Sequence, residues 1–552
     1  IHFLLFEETG NFGNGAIWDV TQEETNWVNI HERALELEGR KQIRSAVIDI
    51  PAFPSYHEWI GIDFSKLSDA VADSYPPRAT LGRYLKERFE TLAKPLLDGN
   101  WVTLIEEKVI KVDVLESKKL QIKSNRAVYK DVDELLLTIG HQPTELTEEM
   151  ISWEEYSSQN ENVTLFKNAY PVKAFLYNNA LDQNATVAVR GFGLAMIDVV
   201  RAIAEKFGAF TRIDEDTHAC NYHSELNIKG MIVPFSLDGL PPVPKPFNAA
   251  IDVQFKPSDV QLEQYGKTIS QTTLQNEANS PSFLLAAFAP IAVQVFMDLN
   301  HKVAVDKTAN ELETIIMRWL EDPTKDYEGM VPLNASAVVM MQNYVDMATG
   351  KAPVSLDYCI GQVWRHCQPT MYEKLSFNKC SDEVFASIIE IDEQSKRFSY
   401  GPPVAAIQQL LALIEHGILS IDFLKEPEIE LTNAGWKFIK NKKDKIITIL
   451  IDSVLDAPKV DEVSSPLVEH LLDSDIITAV HDELGIDIKE SGLVCSEIET
   501  DICSIALLGR LAKGTVIGVD AMLECFGPRP KKWATAAAKR HTLLIKNYSN
   551  EI

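Results

Sequence analysis

The sequence is poor in the features that most directly declare a chemistry. Its seven cysteines, Cys220, Cys359, Cys367, Cys380, Cys495, Cys503 and Cys525, form no C-x-x-C pair. That excludes a zinc ribbon and a redox-active dithiol. Odd in number and irregular in spacing, they read as reduced thiols and point to a cytoplasmic protein. Positive charge is scarce: 53 Lys and Arg stand against 80 Asp and Glu, a formal net charge of −27. Nucleic-acid binding needs clustered cations, so nucleic acid is excluded as a main partner. The two short basic stretches, Lys440–Lys445 and Arg529–His541, read as solvated faces. No apolar run is long enough for a membrane span, and the greasiest, Phe283–Val295, is interrupted by Pro290. No Ser-His-Asp or Cys-His set, low-complexity tract or internal repeat is evident. The chain opens on Ile1, inside a strand pattern with no signal-like character, so an upstream segment is expected.

What is present is length and ordinary globular composition. A chain of 552 residues predicts two to four domains with ample core. The most informative stretch is Thr186–Gly208 (TVAVRGFGLAMIDVVRAIAEKFG). It reads as a short strand, a turn through Gly191 and Gly193, and a nearly all-apolar helix, the first half of a nucleotide-binding βαβ unit. Glycines there admit a pyrophosphate to the backbone, and the helix N-terminus offers free N–H groups. Met196 occupies the usual third glycine position, and Asp198 would repel a phosphate, so a plain strand–helix turn is an equal reading. Asp214 lies about where an acidic ribose partner falls, which favours NADH over NADPH.

A second pattern opens the chain. Ile1–Phe6 reads as a strand ending in Glu7 and Glu8, followed by a Gly/Asn-rich loop with Gly13 and Gly15. Glu7, or next Glu8, is placed to hold a ribose; the alternative is an exposed strand end. Thr80–Lys94 reads as an amphipathic helix, with Arg78 at its start either clamping an anion or lying on the surface. Trp101–Val114 and Lys118–Ser124 alternate like hairpin strands, and Asp133–Thr138 reads as a strand closing on Gly140 and His141. Met231–Pro246 is expected to be an irregular loop, a kind often functional. Ser258–Gly361 carries helical patterns, as does Pro403–Leu419, with Gly417 as its cap. Glu428–Thr432, Lys445–Ile451 and Ser504–Leu508 read as strands. The Gly514–Asp520 bend, with Gly518 and Asp520, suits close approach to a ligand.

Taken in order, these segments resemble the FAD-NAD(P)-binding flavoproteins related to the N-hydroxylating flavin monooxygenases. FEETGNFGNG (Phe6–Gly15), YPPRATLGRYL (Tyr75–Leu85), LLTIGHQP (Leu136–Pro143), RGFGLAMIDVVRA (Arg190–Ala202), FSLDGLP (Phe235–Pro241), YGPPV (Tyr400–Val404) and GTVIGVD (Gly514–Asp520) carry the resemblance. It implies an α/β protein of two Rossmann-like domains with a helical insertion. The first strand and Gly-rich loop of the FAD domain would lie upstream of Ile1. The expected division is 1–150 for the first part of the FAD domain, 151–256 for the NAD(P) domain, 257–400 for the helical insertion and 401–552 for the return to the FAD domain. The implied activity is an FAD-dependent, NAD(P)H-using oxidoreductase, a monooxygenase acting on a small molecule such as an amine. In such enzymes the cofactor performs the redox chemistry, which accounts for the missing nucleophile sets. The implied cofactor contacts are Glu7, Gly13, Gly15, Arg78, Gly140, His141, Gly191, Gly193, Gly518 and Asp520. Two alternatives are a non-catalytic flavin-binding scaffold or sensor and a flavin-free NAD(P)-dependent dehydrogenase.

Overall fold

The structure, a computed structural model, describes residues 1–496, 504–519 and 525–550. Strand β1 (Phe3–Phe6) pairs in parallel with β2 (Val102–Ile105). Between them in sequence runs α1 (Arg78–Asp98), which begins directly after Pro77 (φ −57°). Proline favours the extended conformation before it and presets the turn into the helix. An antiparallel meander follows: β3 (Val109–Val114), β4 (Leu120–Ser124) and β5 (Val128–Val132). The short β6 (Leu135–Leu137) completes this part.

Helix α2 (Glu148–Gln159) is opened by Thr147, whose hydroxyl accepts the Met150 N–H, and leads into β7 (Thr164–Phe166). The strand–turn–helix of the sequence reading is realised as β8 (Val187–Arg190) and α3 (Leu194–Phe207), and β9 (Ile232–Phe235) follows. Every residue of α3 from Ala195 to Ala204 is buried. A helix covered on all sides has no use for a polar face, which explains its composition. Seven longer helices succeed: α4 (Asp259–Ile269), α5 (Ser282–Asp298), α6 (Ala309–Glu321), α7 (Ala337–Ala348), α8 (Leu356–Leu375), α9 (Asp382–Ser399) and α10 (Val404–Glu415). A second meander, β10 (Glu428–Thr432), β11 (Gly435–Lys440) and β12 (Lys443–Ile447), delivers the chain into β13 (Ile449–Asp452).

Strands β9, β8, β13 and β7, in that order, make one all-parallel sheet. Val187 and Val189 point into a large core shared with α3 and helices α4 to α10. Ala188, Val233 and Leu450 point the other way, onto Trp436 and Phe438 of the meander and Met150 and Trp153 of α2. A parallel sheet covered on both faces is the stable arrangement.

One expectation is corrected. Met231–Pro246 is not wholly irregular, because its start is the edge strand β9. Pro234 is tolerated there: the outward N–H groups of Ile232 and Ser236 bond the Ile418 and Leu424 carbonyls, and a proline between them needs no partner. Residues 428–452 supply β13 and the meander layer of the second sheet. The return to the N-terminal part comes later. Strand β14 (Ile505–Leu507) pairs in parallel with β6, and Phe6 packs against the core that holds Val516 and Val519. Helix α11 (Pro528–Asn550) ends the chain, and its Arg540 is ion-paired with Glu134 rather than merely solvated. Among the described residues no helix is long and apolar enough to cross a membrane.

Candidate functional site

The Gly191–Gly193 turn lies at the carboxyl end of β8, where β13 also ends. Gly191 has φ +103°, and a Cβ there would stand 2.9 Å from the Ser453 hydroxyl oxygen. Both facts require glycine. Arg190 is held on Asp452 at 3.0 Å, so the two strand ends are fastened together. Gly193 precedes α3 with no side-chain cap and no atom within 4 Å of its Cβ direction. Gly193 is exposed, so nothing stands over its side of the turn. The crevice outside the carboxyl ends of parallel strands is where such folds take ligands.

Asp198 does not face that opening. It is buried, accepts the Tyr170 hydroxyl at 2.6 Å and the Arg78 guanidinium at 3.0 Å on one oxygen. Burial raises its pKa, and Arg78 opposes that shift. Arg78 also donates to the Trp27 carbonyl at 3.2 Å and lies over the Tyr170 ring. The anion it clamps is thus a carboxylate of its own chain. One turn further on, Arg201 stacks on Trp27, with its guanidinium carbon 3.4 Å from the ring centre. It bonds Gln409 of α10 at 2.6 Å. These contacts join residues 25–27 and α1 to α3.

Asp214 does not take the ribose position. Among the described residues the strand after α3, Ala209–Arg212, pairs only with Cys220–His223 in a separate hairpin, while β8 has β9 and β13 as neighbours. Its carboxylate accepts the Asp216 N–H and the Thr217 hydroxyl and meets Lys351 at 3.3 Å.

The remaining expected residues occupy several places. Glu7 folds back on its own loop, accepting the Thr9 and Asn11 N–H groups at 2.7 and 2.8 Å. Gly13 (φ +90°) lies against Phe89 of α1, where a Cβ would come within 2.2 Å. Gly15 has open space at its Cβ direction, as has Gly140. His141 is exposed beside it. Gly518 packs on the Tyr372 ring of α8, 2.2 Å from a notional Cβ. Asp520 lies outside the described residues, as does Cys503. The structure brings Arg78 to the mid-chain unit and the 516–519 bend to the core behind β1. Gly140, Gly191 and Gly518 lie after β6, after β8 and against α8.

Sequence reasoning passed over a buried polar cluster where residues 29–33, 73–75, 245–252 and α8 meet. Lys245 is 9 % exposed and donates to the Asn29 carbonyl. Asp252 is ion-paired with Arg365 and lies 3.3 Å from His366. Asp73 meets Arg33 at 3.2 Å and His31 at 3.9 Å. The available signal was a lysine flanked by prolines, Pro242–Pro246 (PVPKP), in a segment read only as a loop.

The architecture is thus a mixed α/β fold with three parallel sheets, the largest of them carrying the Gly191–Gly193 turn. Residues 1–142 match the family described as FAD-NAD(P)-binding. No curated protein matches the chain. Among solved structures, the OTEMO complex with FAD and NADP is similar at 9 % identity, covering 98 % of this chain and 85 % of that one, with a TM-score of 0.42. Cyclohexanone monooxygenase from Rhodococcus sp. Phi1 bound to NADP+ is similar at 9 % identity, covering 98 % and 84 %, with a TM-score of 0.41. DfoA bound to FAD, the cadaverine monooxygenase of Erwinia amylovora, is similar at 10 % identity, covering 87 % and 75 %, with a TM-score of 0.35.

Proposed function

We propose that this chain is an FAD-dependent oxidoreductase that uses NAD(P)H, of the monooxygenase type, with a small molecule such as an amine as substrate. The observation that carries this reading is a pairing. The segment matching the FAD-NAD(P)-binding family ends at residue 142, and a separate parallel sheet beyond it bears the open Gly191–Gly193 turn. Two nucleotide-type units suit a reaction in which one cofactor reduces another, with the protein supplying position and exclusion of water.

In this reading Gly191, Gly193 and the N-terminus of α3 would hold the nicotinamide dinucleotide. Glu7, Gly13, Gly15, Gly140, His141, Gly518 and Asp520 are proposed for FAD. FAD, when bound, supplies hydride acceptance and reaction with oxygen. What the chain itself contributes is relative placement: Arg78 on Asp198 and Arg201 on Trp27 fix α1 and the N-terminal loops against α3.

The test uses the purified full chain. Flavin absorbance, together with NADH or NADPH consumption under oxygen that rises when amines are added, supports the reading. A bound flavin that is reduced without turnover supports a scaffold or sensor. A colourless protein that binds NAD(P) supports a flavin-free dehydrogenase, a reading favoured by the close packing of Gly13 on Phe89 and Gly518 on Tyr372.

A further inference from the structure

The basic stretch Lys440–Lys445 is more than a solvated face. The hairpin between β11 and β12 turns through Asn441 and Lys442, both with positive φ (+51° and +66°). A two-residue turn of this hand holds the strands in tight register, with Lys440 opposite Lys443 and Phe438 opposite Lys445. Residues two apart on a strand share a face. Lys443 and Lys445 therefore lie on the face of Ile447, which is buried with Trp436 and Phe438 against the second sheet. The outer end of that buried face is lysine. There, with residues 229–230 and 417–423, it lines a cleft of about 690 Å³. Small-molecule sites run from about 300 to 1,000 Å³.

The charge in this cleft opposes that of the chain. Lys229, Lys442, Lys443 and Lys445 line it against Asp422 and Asp444, whereas the chain has 80 acidic residues to 53 basic ones. Both aspartates are engaged: Asp422 meets Lys443 at 2.8 Å, and Asp444 meets Lys437 at 3.3 Å. Among the described residues Lys229, Lys442 and Lys445 have no carboxylate in ion-pair contact. The wall facing the hairpin is built around one glycine. Lys445 donates to the Gly230 carbonyl. Gly230 has φ +65°, and a Cβ there would lie 2.5 Å from the Lys445 ammonium nitrogen. Its N–H bonds the Gly417 carbonyl at 2.6 Å, and the Met231 N–H closes a turn on the Ile228 carbonyl at 3.1 Å. Lys229 stands at the corner of that turn, next to the carbonyl that holds Lys445. Ammonium groups gathered in this way repel one another, and the field they focus draws in an anion.

We propose that this cleft binds a small ligand carrying two or more phosphate groups, held by Lys229, Lys442 and Lys445. Three unpaired cations match the charge of a diphosphate; a single carboxylate would leave two of them unmatched. The site is distinct from the Gly191–Gly193 turn. Gly230 precedes β9 and Lys445 precedes β13, so the cleft lies at the amino ends of the parallel strands, and the turn lies at their carboxyl ends. The inference does not depend on the flavin reading.

The test is titration calorimetry of the full chain with sodium pyrophosphate, with orthophosphate, acetate and chloride at equal ionic strength as comparisons. Lysine acetylation, mapped by mass spectrometry with and without pyrophosphate, locates the site. Pyrophosphate binds saturably and more tightly than the other anions. It protects Lys229, Lys442 and Lys445 from acetylation and leaves Lys86 and Lys94 of α1 as reactive as before. Lys229→Ala and Lys442→Gly alter exposed residues, the second at a φ that suits glycine, so both fold. Each weakens pyrophosphate binding about fivefold, and Lys94→Ala does not. The proposal is overturned if pyrophosphate binds no better than chloride or acetate, if protection falls on other lysines, or if both cleft variants bind as the unaltered chain does. Stronger protection of the same lysines by polyglutamate than by pyrophosphate overturns it in favour of an acidic protein partner.

Discussion

Arg78 donates to Asp198 at 3.0 Å, on the same carboxylate oxygen that takes the Tyr170 hydroxyl at 2.6 Å. One bond thereby ties the first turn of α1 to the second turn of α3, 120 residues apart in sequence. It turns a residue that should repel a phosphate into the anchor of the opposite face.

Breaking this pair strands a buried charge. Arg78→Met is expected to lower stability by about 3–5 kcal/mol in urea unfolding, and Arg78→Met with Asp198→Leu to recover most of it. A double-mutant cycle gives the coupling; if the two losses simply add, the pair is not the connection described here.

The two glycines of the turn separate backbone strain from ligand access. Gly191→Ala meets φ +103° and the Ser453 hydroxyl, and is expected to cost about 1–2 kcal/mol of stability. Gly193→Ala enters open space and leaves the unfolding midpoint unchanged. Titration of NADPH and NADH against Gly193→Ala should show weakening by about tenfold, since a methyl group would stand where the pyrophosphate approaches the backbone. Unaltered affinity for both would remove the turn from the proposed site.

At the far end of the chain, Gly518→Ala drives a methyl group into the Tyr372 ring. Overpacking of this kind costs about 1–3 kcal/mol. Tyr372 also bonds Asp392 at 3.1 Å, so the ring has little freedom to retreat. Denaturant titration of the variant measures the loss.

Stability should depend on pH through Lys245 and His31. Lys245 is about 7 in the folded chain, near 10.4 when unfolded. Between those values the unfolded state binds the extra proton, so stability rises with pH across that window. Lys245→Met should abolish the rise and be more stable at pH 7. His31, about 4 folded against 6.5 unfolded, makes stability fall as pH drops from 6.5 toward 4. Urea midpoints over pH 4–10 for the unaltered chain and for Lys245→Met check both signs.

Local elements were legible because local rules fix them. The glycine turn and apolar helix of Thr186–Gly208 appear as β8 and α3, the helix expected over Thr80–Lys94 lies within α1, and Gly417 follows α10 as its cap. Asp214 misled because spacing along the chain says nothing of which strand will lie beside β8. Pro234 misled because a proline breaks a central strand yet fits an edge, and edge position is settled by neighbours.

By itself, then, the order of residues determined the punctuation of the chain: where strands stop at glycine and where apolar helices follow. Only the tertiary structure decided which charges meet. Asp198 faces Arg78 instead of an opening, and Lys245 is enclosed with no carboxylate in ion-pair contact among the described residues. Coulomb energy and desolvation depend on distance through space and on exclusion of water, and both arise only when remote segments pack.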